Sequence, residues 1–224
     1  LKPNTVYNIY NNSQKFASLS TDANGNLPSF TVYLSSEHEI KVEQTTNITG
    51  CTVLDQPGKT YYLTRDITNS SAEVCMDISA DNVVLDCQNH LIDGVDAPNT
   101  YGVLIFLPSS GSSNITVKNC NVRDWGCGIY LGYGDSNTLE NVTVNSNSWG
   151  IYIAESDRNI LLNITAKFNN YGIELSSVSV INLTYVTANS NNYGIYYFSS
   201  PPGEKLLINI CLLYTSPSPR DLST

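Results

Sequence analysis

Two aspartates, Asp135 and Asp157, carry the side chains best suited to acid–base chemistry. Cleavage of a glycosidic bond needs two carboxylates placed across a cleft, one of them with a raised pKa. Asp is also common in turns, where its side chain accepts hydrogen bonds from nearby backbone groups. No recognisable aspartate cluster or calcium-and-arginine set accompanies the pair. The sequence therefore predicts no catalytic site, and these two residues are the candidates should one exist.

A second set of candidate residues has the same spacing as the two aspartates and consists of Tyr130, Tyr152, Glu174 and Tyr196. Alternation along a strand would place each of these side chains outward, nearly in line. Aromatic faces on a rigid sheet can stack on sugar rings, and the carboxylate could bind a hydroxyl group. This pattern predicts a carbohydrate-binding stripe. The alternative is that outward tyrosines are ordinary strand formers that pack on their neighbours above and below.

A further aromatic column, whose direction the sequence does not fix, precedes the glycines of the repeat and consists of Trp149, Tyr171 and Tyr193.

The element that must position these residues is a sequence repeat with a period of about 22 residues. Four glycines at this spacing are each followed by isoleucine: Gly128, Gly150, Gly172 and Gly194. Apolar and polar residues alternate within each repeat, which is typical of strands with one buried face. Three short strands with Asn, Ser and Gly turns fill about one coil of a parallel β-helix, in which coils pair at about 4.8 Å. The sequence thus predicts an all-β, right-handed parallel β-helix, a single-stranded solenoid of about 22 residues per coil.

The sequence Asn-Asn-Tyr-Gly-Ile occurs twice, beginning at Asn169 and at Asn191. These asparagines fall in a column with Asn147, where stacked side-chain amides can hydrogen-bond along the axis. Glycine permits backbone angles that other residues resist, and the isoleucine belongs to the core. We interpret the repeated word as scaffolding, with its tyrosine as the one residue that could do more.

The segment "VVLDCQNHLIDG", followed by "YGV", resembles the β-helix repeat family that includes NosD-like proteins and the wider group of carbohydrate-binding proteins and sugar hydrolases. The resemblance covers about residues 51 to 210. It implies the β-helix fold and leaves two function classes open. One is a protein that binds or presents carbohydrate, or serves as an adhesive or structural stalk. The other is a polysaccharide lyase, hydrolase or epimerase.

The residues favour the binding class, with a carbohydrate or cell-surface polysaccharide as the partner, because no catalytic set is recognisable. Fold alone does not imply an activity. We therefore lean against an enzyme, and the oligomeric state is left open.

The segments around Cys51 and Cys75 look like the opening rungs of cell-surface members of this family. The two residues are 24 apart, close to one coil, so they should lie in neighbouring rungs where the Cα separation suits a disulfide. Cys87 and Cys120 are a second pair to consider, with reduced buried thiols as the alternative, and Cys127 would be left over.

A disulfide is expected outside the cytoplasm, so we expect an extracellular or cell-surface protein. Seven Asn-x-Ser/Thr sequons occur, but a chain with 27 asparagines makes such triplets by accident and Asn141 and Asn163 occupy repeat columns, so we consider glycosylation for the earlier sequons only. The seven sequons begin at Asn11, Asn47, Asn69, Asn114, Asn141, Asn163 and Asn182.

Few residues could bind a soft metal. With two cysteines expected in a disulfide, the ligands that remain are mainly His38, His90 and Met76. The sequence therefore predicts no metal site and no cofactor. The formal net charge of −9 would repel nucleic acid and anionic lipid, and no run of 18 apolar residues predicts a membrane span.

The two ends of the chain differ from the repeat. Residues 1–45 alternate as strands around Asn24-Gly25, a hairpin signal, and predict a fragment of a small fibronectin-like β-sandwich. Residues 51–210 form the predicted β-helix, which we expect to be truncated. Residues 211–221 resemble a translated sequencing adapter, so 211–224 are expected to be an artefact tail.

Overall fold

The computed structural model describes residues 6–12, 14–32, 38–44, 46–106, 113–198, 207–212 and 222–223. These residues divide into two units, Leu1–Thr46 and Asn47–Thr224. Every regular element among them is a strand, as the sequence predicts. No helix in the described part of the chain is long and apolar enough to cross a membrane.

The N-terminal unit is a small antiparallel sheet in the order β2-β1-β3. Its strands are β1 (Val6–Asn11), β2 (Gln14–Ser20) and β3 (Ile40–Gln44). The hairpin predicted at Asn24-Gly25 is wrong, since the hairpin joins β1 to β2. Asp22 explains the difference because its Oδ1 accepts the backbone N–H groups of Asn24 and Asn26 at 2.8 and 2.9 Å. This side chain closes a local turn that leads into no strand within residues 26–32.

The second unit is a parallel β-solenoid built from two sheets. Sheet I contains eight strands: β5 (Thr52–Leu54), β7 (Val74–Ile78), β10 (Tyr101–Phe106), β12 (Cys127–Gly132), β14 (Trp149–Ala154), β16 (Tyr171–Ser176), β18 (Tyr193–Phe198) and β20 (Leu222–Ser223). Sheet II contains nine: β4 (Asn47–Ile48), β6 (Thr60–Leu63), β8 (Val84–Asp86), β9 (Leu91–Asp93), β11 (Thr116–Arg123), β13 (Thr138–Asn145), β15 (Asn159–Lys167), β17 (Val180–Thr187) and β19 (Leu207–Leu212).

Register between successive strands follows the repeat that the sequence shows. In sheet I, Ile129 pairs with Ile151, which pairs with Ile173. All three side chains are completely buried, and the column continues to the partly buried Ile195. In sheet II the fully buried column is Leu139, Leu161 and Leu183. The predicted core is therefore confirmed. A shift of the pairing by one residue would turn these side chains outward, so their burial fixes the register.

Cys51 is joined by a disulfide to Cys75, with their Cα atoms 4.2 Å apart. A second disulfide joins Cys87 to Cys120, with a Cα separation of 4.9 Å. Cys127 is a free, buried thiol. Both disulfides lie in the first half of the solenoid, where the rungs are least regular and the sequence repeat is interrupted.

Inside one row of turns, buried asparagines form the predicted amide ladder. Asn147 donates both its backbone N–H and its side-chain N–H to Oδ1 of Asn169, at 3.0 and 3.1 Å. Asn169 repeats both bonds to Asn191 at 2.8 and 3.1 Å. A second ladder at the other turn runs from Asn137 to Asn159. The amides satisfy turn N–H groups that would otherwise be buried without partners.

We predict that the Asn169→Ala variant loses about 1–3 kcal/mol of unfolding free energy, because the N–H groups of Asn147 lose their buried acceptor. The control is Asn192→Ala, whose side chain bonds only at the exposed surface and should cost less than about 0.5 kcal/mol. Urea unfolding followed by circular dichroism gives both values. Equal losses in the two variants would contradict a structural role for the buried ladder.

Changing Cys51 and Cys75 together to serine should lower the unfolding free energy by about 3 kcal/mol, because the disulfide closes a loop of 24 residues in the unfolded chain. The measurement is the urea midpoint of parent and variant, with and without reductant. A parent midpoint that reductant leaves unchanged would contradict the two disulfides.

Candidate functional site

The predicted stripe lies on sheet I in strict register. Tyr130 pairs with Tyr152, which pairs with Glu174, which pairs with Tyr196. All four side chains are half-buried and point away from the core, since each follows an isoleucine of the core column, fully buried at Ile129, Ile151 and Ile173 and partly buried at Ile195. Strand alternation therefore produces the arrangement that the sequence suggested.

A second aromatic column stands beside the first, at the start of the same strands. Trp149 pairs with Tyr171, which pairs with Tyr193. The rings of Trp149 and Tyr171 are stacked with centroids 6.1 Å apart and an interplanar angle of 9°. Tyr171 and Tyr193 stack at 4.8 Å and 9°. The direction that the sequence left open is thus outward, alongside the predicted stripe.

Glycine makes this double column possible. A Cβ on Gly150 would lie 2.5 Å from the carbonyl oxygen of Gly172 and 2.9 Å from Nδ2 of Asn169. Only glycine therefore fits at position 150, directly after the outward Trp149 and two residues before the outward Tyr152. The repeated word, with asparagine inside the turn and glycine next to the aromatic residue, builds both the amide ladder and the second column.

Ring contacts join the two columns into one surface. Tyr130 and Tyr152 meet edge to face at 5.3 Å, and Tyr101 meets Tyr130 in the same way at 5.7 Å. At the other end Tyr196 contacts Tyr171 at 5.4 Å and also Tyr193. We name this surface the aromatic face: Tyr101, Phe106, Tyr130, Tyr133, Trp149, Tyr152, Tyr171, Tyr193 and Tyr196, with Glu174 among them.

Three members of the aromatic face, Tyr101, Phe106 and Tyr133, were not singled out from the sequence. Tyr101 carried a usable signal because it precedes Gly102 just as Tyr171 precedes Gly172. Phe106 and Tyr133 meet edge to face at 5.3 Å but lie at a strand end and in a turn, outside the repeat columns. No periodic signal marks them.

Glu174 is the acid at the centre of the aromatic face. Its carboxylate oxygen Oε2 accepts the indole N–H of Trp149 at 2.7 Å. Burial raises the pKa of Glu174, and the bond from Trp149 partly opposes that change. The carboxylate is thus held in a fixed direction between aromatic rings, and it offers further acceptor sites to a ligand.

A pocket of about 170 Å³ opens within the aromatic face. It is lined by Asn99, Thr100, Tyr101, Gly126, Cys127, Tyr130, Trp149 and Tyr152. Burial raises the pKa of the Cys127 thiol far above its ordinary value, so this cysteine is protonated and a poor nucleophile. The pocket therefore offers ring faces and hydroxyl and amide groups rather than a reactive centre.

The phenol groups of Tyr101, Tyr130 and Tyr133 have raised pKa values and are neutral at neutral pH. Burial raises the pKa of Tyr130 to about 12 and also raises that of Tyr101. A hydrogen bond to the Glu155 carboxylate, at 3.2 Å, raises the pKa of Tyr133. Neutral phenols can both donate and accept hydrogen bonds at the rim of the surface.

Asp135 and Asp157 lie elsewhere, in successive turns. Oδ1 of Asp135 accepts the backbone N–H of Asp157 at 2.8 Å, and its Oδ2 pairs with Arg158. Oδ1 of Asp157 accepts the N–H of Ser179 at 2.7 Å. Each carboxylate thus caps the turn of the next rung, which accounts for both residues by local structure.

The candidate soft ligands are dispersed. Met76 is completely buried in the core, and Nδ1 of His90 lies 2.9 Å from the carboxylate of Asp66. His38 belongs to the N-terminal unit, where its Nδ1 lies 2.7 Å from the side-chain oxygen of Asn11. In the part of the chain that the structure describes, no three His, Cys, Asp or Glu residues form a group that could hold a metal ion.

The comparisons with known proteins give one match. A family model described as "Periplasmic copper-binding protein (NosD)" matches residues 23–210. Neither a curated protein nor a solved structure matches the chain.

The described residues do not fit the copper that this description implies. Copper sites need thiolate, thioether or imidazole ligands brought together, whereas four cysteines here form disulfides and Met76 is enclosed in the core. The match nevertheless spans most of the sequence and agrees with the parallel β-solenoid and with disulfides that suit a non-cytoplasmic protein. The chain belongs to the NosD family of periplasmic β-helix proteins.

Proposed function

We propose that the protein binds carbohydrate through the aromatic face, outside the cytoplasm, at the cell surface or in the extracellular space. The observation that carries the proposal is the continuous run of rings in two columns, with neighbouring centroids 4.8 to 6.4 Å apart. A sugar ring has an apolar face edged by hydroxyl groups, and aromatic side chains combine an apolar body with a polar tip.

The spacing of the rings supports an extended glycan rather than a single sugar. Rungs repeat at about 4.8 Å along the axis, so each rung presents a new ring at nearly the same position. A linear polysaccharide advances by about the length of one pyranose ring per unit. The polysaccharide can therefore lie along the columns and contact several rungs at once, so that several weak contacts together give a useful affinity.

The rigidity of the surface also favours binding. The rings stand on parallel strands whose core side chains are completely buried, so little conformational freedom remains to be lost when a ligand docks. The pocket of about 170 Å³ supplies Asn99 and Thr100 next to Tyr101 and Trp149. Such a mixture of ring faces and a few polar groups is typical of small-molecule sites.

The enzyme alternative receives less support from the described residues. Glycoside cleavage needs a pair of acids across the substrate, whereas Asp135 and Asp157 are both engaged with backbone groups of the neighbouring turn. Glu174 has a raised pKa, as a general acid would, and the other carboxylate in contact with the aromatic face, Glu155, is hydrogen-bonded to Tyr133 at its rim. Release of reducing ends from a bound glycan would favour the enzyme.

The test is a glycan array probed with the parent chain and with a variant in which Tyr130, Tyr152 and Tyr196 are all alanine. We expect the parent to bind and the variant to lose at least about tenfold in affinity for the same glycans, because each ring removed takes away a stacking contact. Unchanged binding by the variant would contradict the proposal.

The matched control removes three exposed aromatic side chains outside the aromatic face, Tyr62, Phe168 and Tyr185. This variant should bind as the parent does. Circular dichroism and the urea midpoint of both variants show whether the solenoid stays folded.

A further inference from the structure

The aromatic face has an unusual charge composition. In the strands of sheet I that the structure describes, no residue is Lys or Arg. Arg123 at the end of β11 pairs with Asp93, and Arg158 in a turn pairs with Asp135, so both cations are engaged elsewhere. Among the described residues, the strands that carry most of the aromatic face thus hold no cationic side chain.

Acids, in contrast, lie in and around the aromatic face. Glu174 stands in the column of Tyr152 and Tyr196, and Asp77 is in register with Leu104, which pairs with Tyr130. Glu155 accepts the hydroxyl of Tyr133 at the rim. The face thus carries negative charge within a protein whose formal net charge is −9.

The aromatic rings add to the negative electrostatic potential of this surface. The ring faces of Trp and Tyr carry the negative part of the quadrupole and attract cations that lie over them. Glu174 is half-buried between such rings, so a charge–charge contact there is screened less than one on an open surface. Of the roughly four acceptor positions of its carboxylate, Trp149 uses one on Oε2.

These observations indicate which class of glycan fits the aromatic face. Resting on the proposed carbohydrate-binding function, we propose that the aromatic face selects glycans built from amino sugars with free, protonated amines, and that the Glu174 carboxylate recognises the ammonium group. An anionic glycan is repelled by the acids here, and a neutral glycan gains stacking and neutral hydrogen bonds. A cationic glycan gains stacking, a cation–π contact and a charge-assisted hydrogen bond.

The experiment compares β-1,4-linked hexamers of glucosamine, N-acetylglucosamine and glucose by isothermal titration, at a pH at which the free amines are protonated and the Glu174 carboxylate, whose pKa burial raises, is ionised. We expect the parent chain to bind the glucosamine hexamer about fivefold more tightly than the other two. Added salt should reduce this preference and leave the neutral hexamers unaffected.

The diagnostic variant is Glu174→Gln, which keeps an acceptor for the Trp149 N–H. It should bind all three hexamers alike. The matched control is Glu140→Gln, which removes the same charge from sheet II, where Glu140 pairs with Lys118 and Leu162. This control should keep the preference of the parent, which separates a local contact from the effect of net charge.

Each contrary outcome is distinguishable. Equal binding of the three hexamers by the parent, or a preference that survives in Glu174→Gln, would overturn this inference and leave the proposed function standing. Polylysine that binds as tightly as the glucosamine hexamer would overturn it too, because charge alone would then suffice. No binding of any hexamer would overturn this inference, whereas the proposed function stands or falls on the glycan array.

Discussion

The structure depends on one constraint, the interval of 22 residues between paired positions in the regular rungs from β11 to β18. Parallel pairing of the backbones fixes this interval, and the buried isoleucine and leucine columns prevent it from slipping. The asparagine ladder enforces the same interval inside the turns, because each amide can reach the N–H groups of one neighbouring rung only. Core, turns and surface therefore repeat together.

The aromatic face is the outward consequence of that register. Any residue type kept at one position of the repeat becomes a column, and in β14, β16 and β18 two such positions lie on either side of the Gly-Ile pair. Tyrosine and tryptophan at these positions give stacked rings instead of isolated ones. Glu174 interrupts one column, and the bond from Trp149 holds its carboxylate between the rings. Scaffold and candidate site thus share one origin.

Much of the fold was predictable because the repeat is visible in single columns of the sequence. The isoleucine column, the amide ladder and the outward direction of Tyr130 and Tyr152 follow from spacing and alternation. The direction of Trp149 and Tyr171 did not, since it depends on backbone geometry at a turn. Phe106 and Tyr133 lie outside the repeat columns, so spacing did not indicate them. The Asn24-Gly25 signal was misleading because the Asp22 side chain accepts the backbone N–H groups of this segment and closes a local turn. The periodic features could be predicted from the sequence, whereas the local ones could not.

The chain has two tryptophans, of which Trp149 lies on the aromatic face and Trp125 is completely buried in the core. Acrylamide quenching of tryptophan fluorescence therefore reports on the aromatic face directly, because only Trp149 is accessible to the quencher. We expect a saturating β-1,4 glucosamine hexamer to protect this fluorescence from quenching. Quenching that stays the same at a hexamer concentration that saturates binding would contradict it, because the glycan would then lie elsewhere on the protein.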